Sequence, residues 1–95
     1  MSTATFEKIE KENISSLRFP NSEVLEDVDK RIDRITDLNR ALSLGNLEQQ
    51  KIKIYFEDDQ SFKMVETTVW GVTDKRVILK QGVVIPINRV HYIKL

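Results

Sequence analysis

With 95 residues, the chain is long enough for one small domain with a thin stability margin. Its 15 Lys and Arg residues balance 15 Asp and Glu, so it lacks the strong basic field of a general nucleic-acid binder. The absence of cysteine excludes disulfides, thiol catalysis and thiolate metal sites.

Hydrophobic content of 40% and charged content of 32% are those of a soluble globular protein. No apolar run approaches membrane-spanning length, and the first residues lack a signal pattern, so a cytoplasmic protein is expected. Residues 1–45 carry seven basic and nine acidic groups, and residues 46–95 carry eight and six. That split is too small to assign a partner.

Residues 1–21 are weakly patterned. Phe6, Ile9 and Leu17 are diluted by charged neighbours, and a flexible arm is expected, since untethered termini stay mobile. Pro20 biases Phe19 away from helix and closes the segment.

An amphipathic helix is expected over 22–45. Asn21 or Ser22 would cap it, and Gly45 would end it in the left-handed conformation. Leu25, Val28, Ile32, Ile35, Asn39 and Leu42 are spaced as a heptad seam with one polar member. The seam suits either a lid over a sheet or pairing with a second copy, where Asn39 would fix register.

From residue 46 the period changes to two. Ile52, Ile54 and Phe56 alternate with Lys51, Lys53 and Tyr55, as in a strand with one buried face. Glu57–Ser61 has turn chemistry and reads as a solvated acidic hairpin. Residues 62–72 form a long strand whose inward set changes sides, which implies a bend at a bulge or at Gly71. Residues 76–80 and 83–87 form a hairpin over Gln81-Gly82, and Pro86 places its strand at an edge. A corner at Asn88–Val90 leads into a last strand, His91–Leu95.

The expected class is α+β: an amphipathic helix followed by a five-stranded antiparallel small β-barrel over 46–95. The core expected is Ile52, Ile54, Phe56, Met64, Val69, Val77, Leu79, Ile85, Ile87 and Ile93, covered by Val28, Ile32, Ile35 and Leu42.

Lys51–Glu57, Phe62–Val72, Arg76–Lys80, Val83–Ile87 and His91–Leu95, joined by the acidic turn and the Asn88–Val90 corner, resemble the Sm-like small barrels. The layout is most similar to that of the bacterial Rho-binding antiterminators. The resemblance implies a closed five-stranded barrel and a binding role. Its RNA-contacting motifs are not matched: Thr73-Asp74-Lys75 offers only an aspartate, and Ile85-Pro86-Ile87 stands where a glycine motif belongs.

Catalysis finds no support in the residues. His91 is the only histidine, the acidic turn lacks the spaced oxygens of a calcium loop, and neither a phosphate loop nor a serine motif occurs. No cofactor or metal is expected. A non-enzymatic interaction or regulatory module is expected, with a protein partner or a second copy bound through the helix seam or a sheet edge. The alternative is single-stranded RNA on a basic strand face of Lys51, Lys53, Tyr55, Lys63, Lys75, Arg76, Lys80 and Arg89. Trp70 reads as core rather than as a stacking platform.

Overall fold

A computed structural model describes residues 5–95. The class is α+β, with one long helix and seven strands in two sheets. The strands are β1 (Glu7–Lys8), β2 (Ile52–Glu57), β3 (Phe62–Thr67), β4 (Val69–Val72), β5 (Arg76–Leu79), β6 (Val84–Pro86) and β7 (Val90–Lys94). The first sheet runs β1-β3-β2-β7 and the second β4-β5-β6.

The alternation of Ile52, Ile54 and Phe56 buries one face of β2 as expected. The expected second strand is two strands. Val65 and Thr67 point inward on β3, and then Thr68 and Val69 are also buried, so the pleat breaks at Thr68 and the chain passes into the other sheet. A register shift between Val69 and Gly71 marks the start of β4. The second correction is at closure. Among the described residues β6 and β7 do not pair, because Pro86 and the 3-10 turn Ile87–Arg89 stand between them. The five strands of a closed barrel are therefore seven strands in two ladders. Pro86 does lie on an edge strand.

The expected flexible arm is packed from Phe6 onward; residues 1–4 lie outside the described residues. β1 adds to β3 in parallel, and a 3-10 helix, Lys11–Ser16, drives Ile14 into the core at 2% exposure. The period-3.6 pattern was too short here to announce a single inserted side chain.

The helix α1 spans Val28–Glu48, not 22–45. Residues 21–25 are held out of helix by bonds across the chain: the Val24 N–H donates to the Asn88 carbonyl, and Asn88 and Arg89 donate to the carbonyls of Asn21 and Ser22. Asp27 becomes the cap, its carboxylate accepting from the Asp29 N–H. Gly45 does not end the helix. Gln49 takes the left-handed conformation instead, with its N–H returned to the Gly45 carbonyl.

The core is continuous between the sheets and the helix. Of the side chains expected there, Ile52, Ile54, Phe56, Val69, Val77, Leu79, Ile85, Ile87 and Ile93 are buried. Met64 is only half-buried, because it shares the outward face of β3 with Phe62. Leu38, Ala41, Val65 and Val90 fill the remainder with Ile14.

Candidate functional site

The helix does not lie on the sheets by its seam. Its buried residues are Arg34, Leu38, Ala41 and Gly45, spaced 4-3-4 along one face. At about 100° per residue, the seam centres about 110° away around the axis. Val28 is 61% exposed, Ile32 58% and Ile35 38%. Asn39 is exposed and Leu42 half-buried at the margin, while Leu25 precedes the helix and is also half-buried. Among the described residues, Val28 and Ile32 are thus largely exposed rather than placed as the expected lid, while Ile35 is partly exposed and reaches the cleft beside Pro86 and Ile87.

Small residues explain the docking face. Gly45 lies so close to the second sheet that a methyl group there would run into the Val69 carbonyl oxygen. Ala41 is likewise fully buried. Leu38 is the one large aliphatic side chain on that face, and Val28 and Ile32, on another face, are left to solvent.

The basic strand face is divided by the fold. Lys63 is buried and pairs with Asp58 at 3.0 Å, since it alternates with Val65 and Thr67 on the inner face of β3. Arg89 is 5% exposed and donates to the carbonyls of Glu57, Asp58 and Ser22. Neither is available to a ligand. Lys51, Lys75, Arg76 and Lys80 remain exposed, and Lys53 and Tyr55 are half-buried. Lys51 and Lys80 share one cleft, whereas Lys75 and Arg76 line another with Glu23, Arg34 and Asp74. Tyr55 stacks on Tyr92 with ring centres 4.4 Å apart and is capped edge-on by Phe6. Its ring face is thus already occupied.

Buried ion pairs fix the segments around the corner before β7. Arg34 donates two hydrogen bonds to the Glu23 carboxylate and one to the Val90 carbonyl, while its buried Nε has no partner. Burial acts to raise the Glu23 carboxyl, but bonds from Arg34 and the Leu25 N–H outweigh it and hold the group below its ordinary value. Asp58 is only 2% exposed, so the acidic turn is not wholly solvated. Burial again acts upward, and the N–H groups of Ser61 and Gln60 with the Lys63 ammonium bring the carboxyl below its ordinary value. His91 meets Glu57 at 3.0 Å, with Arg89 near the same carboxylate. Most of these groups are satisfied by one another, although Glu23 and Arg34 also line the cleft beside Lys75, and Arg34 and His91 line a second beside Phe6 and Tyr92.

Trp70 was expected in the core and is 52% exposed. The signal that could have placed it is the slip at Thr68: once Thr67, Thr68 and Val69 all turn inward, the next residue must turn out. No cluster of metal-ligating side chains occurs among the described residues, and no described helix is long and apolar enough to cross a membrane. Comparison with protein-family models, curated proteins and solved structures finds no match.

Proposed function

We propose that the protein is a non-enzymatic interaction or regulatory module of the cytoplasm that self-associates through the exposed seam of α1. The observation carrying this reading is that the exposed Val28 and Ile32, with the partly exposed Ile35, line an apolar groove on the outer side of the helix. Leaving large aliphatic side chains in water forgoes about 1.5–3 kcal/mol each, and a stripe of them at helical spacing marks a partner surface. The heptad spacing of the seam favours a second copy as the occupant. Arg31 and Thr36 flank the stripe, and Asn39 lies one turn beyond Ile35. Asn39 would then set register within the apolar contact.

The chain path suits an Sm-like domain. β3 passes into β4 through the single residue Thr68, so the two behave as one bent strand serving both sheets, and β7 returns to pair with β2. Sedimentation tests the reading. The full chain should form a dimer that Ile32→Asp converts to a folded monomer. A wild-type chain that stays monomeric at high concentration removes it. A second reading, single-stranded RNA binding, is favoured by the cleft that joins Lys51 and Lys80 to the exposed Trp70.

A further inference from the structure

The residues around Trp70 make a cleft with a charge pattern of its own. It has a volume of about 460 Å³ and is lined by Asn46, Gln49, Lys51, Thr68, Trp70 and Lys80, together with Gly45. The clefts beside Lys75, Asp33 and Lys53 each include at least one carboxylate, but no acidic side chain lines this one. Lys51 and Lys80 form no ion pair among the described residues, so both ammonium groups are available. In a chain with equal numbers of acids and bases, that is a local bias toward anions.

The walls are tied together by the fold. The Lys80 N–H donates to the Thr68 carbonyl at 3.0 Å, and the Thr68 hydroxyl donates to the Gln49 carbonyl at 3.4 Å. One lysine, the helix end and β4 are thereby joined through one buried threonine. The two non-glycine residues with positive φ among the described residues, Gln49 at 53° and Gln81 at 68°, lie on the rim and next to Lys80. At Gln49 that conformation is the helix cap, and at Gln81 it belongs to the turn between β5 and β6. The helix C-terminus ends on the cleft, and its partial negative charge disfavours an anion at its tip. An anion is better served on the lysine side.

We propose that this cleft binds one nucleotide unit, with the base stacked on Trp70 and its phosphate between Lys51 and Lys80. A stacked base needs an exposed aromatic face, and Trp70 supplies one; the phosphate needs unpaired cations, and the lysines supply them. The side-chain amides of Asn46 and Gln49 can each donate to and accept from a base edge. The same chemistry is offered by a free nucleotide and by a nucleotide within a single strand. The assignment rests on the second reading above and narrows it to a defined site, leaving Lys75 and Arg76 outside.

Trp70 is the only tryptophan, so its own fluorescence reports the site without a label. The full chain is titrated at low salt with uridine monophosphate, with uridine, with inorganic phosphate and with a short oligouridine. Quenching by the monophosphate and by the oligomer alike identifies a free-nucleotide site, and quenching by the oligomer alone identifies a strand-binding one; either outcome supports the proposal. Trp70→Ala should weaken oligomer binding, followed by anisotropy of a labelled strand, by about tenfold or more, with Trp70→Phe retaining most of it. Lys51→Gln with Lys80→Gln should flatten the salt dependence of quenching. Unchanged Trp70 emission in every titration overturns the proposal. If the oligomer binds equally well to Trp70→Ala, the site is wrong although RNA binding stands; if neither the oligomer nor the monophosphate binds at low salt, both fall.

Discussion

Replacing Gly45 with alanine sets two effects of opposite sign against each other. In a helix interior the change should stabilise by about 0.8–1.0 kcal/mol, because glycine loses more backbone freedom on folding. Packing opposes it. The new methyl would collide with the Val69 carbonyl oxygen and sit 3.1 Å from the Thr68 methyl carbon, tighter than ordinary contact. The obstructing atom is backbone. Val69 pairs with Leu79 on β5, so its carbonyl cannot rotate aside without disturbing the ladder. Overpacking of this kind costs about 1–3 kcal/mol and, against a rigid neighbour, falls in the upper part of that range. The net expectation is destabilisation by about 1–2 kcal/mol, or a fall in Tm of about 4–8 °C for each kcal/mol in a domain of this size. Urea titration and thermal circular dichroism read it directly. Ser43→Ala on the exposed face of the same helix serves as control and should gain a few tenths of a kcal/mol, roughly the propensity difference alone. A Gly45→Ala chain with raised Tm would refute the docking geometry, and with it the exposure of the seam and the shape of the Trp70 cleft.

Leu38→Ala should cost about 2–5 kcal/mol in urea titration, while Val28→Ala in dilute monomer stays within about 0.5 kcal/mol, despite the similar hydrophobicity of the two residues. Asp58→Ala leaves the Lys63 ammonium buried without its partner and should cost about 3–5 kcal/mol, with much of the loss recovered by Asp58→Leu combined with Lys63→Met. A double variant no more stable than Asp58→Ala would show that the pair does not act as a unit. Stability should also fall in acid with a definite sign. Glu23 and Asp58 both hold their protons less tightly in the folded chain than in the unfolded one. Their contribution is complete above the unfolded carboxylate range of about 3.9–4.3 and is lost as pH drops through the lower folded values. Denaturation at a series of pH values should show that decline, and Asp58→Asn should make it shallower.

How much of this could be read beforehand divides by the range of the interactions. β2 was legible because three alternating apolar residues suffice to define its buried face, and the Gln81-Gly82 turn and the edge position of Pro86 follow from backbone chemistry local to them. The helix start was not, because what stops Asn21–Leu25 from being helical is Asn88 and Arg89, more than sixty residues away. The fate of Lys63 could have been read from its parity with Val65 and Thr67, but a lysine in a strand reads first as solvent-facing, and only the burial of Asp58 reverses that. The cleft at Trp70 joins three separate stretches of the chain. Its lysines were visible in the sequence as members of a larger basic set, yet their separation from Lys63 and Arg89 depends entirely on how β3 and β7 turn.

The two surfaces proposed for this protein share one cause. A helix buried through leucine, isoleucine and valine would stand off its sheet by the width of those side chains and would spend its apolar residues on its own fold. Here alanine and glycine make the contact, so the axis comes close, Leu38 alone fills the deep position, and the branched residues at 28, 32 and 35 are displaced to the open side. The same close approach brings the helix end against Thr68, beside the point where the pleat breaks and Trp70 is turned outward. Enlarging Gly45 should therefore perturb self-association and nucleotide quenching together, although it belongs to neither contact. A variant with raised helix stability and both activities intact would show that the two surfaces arise independently.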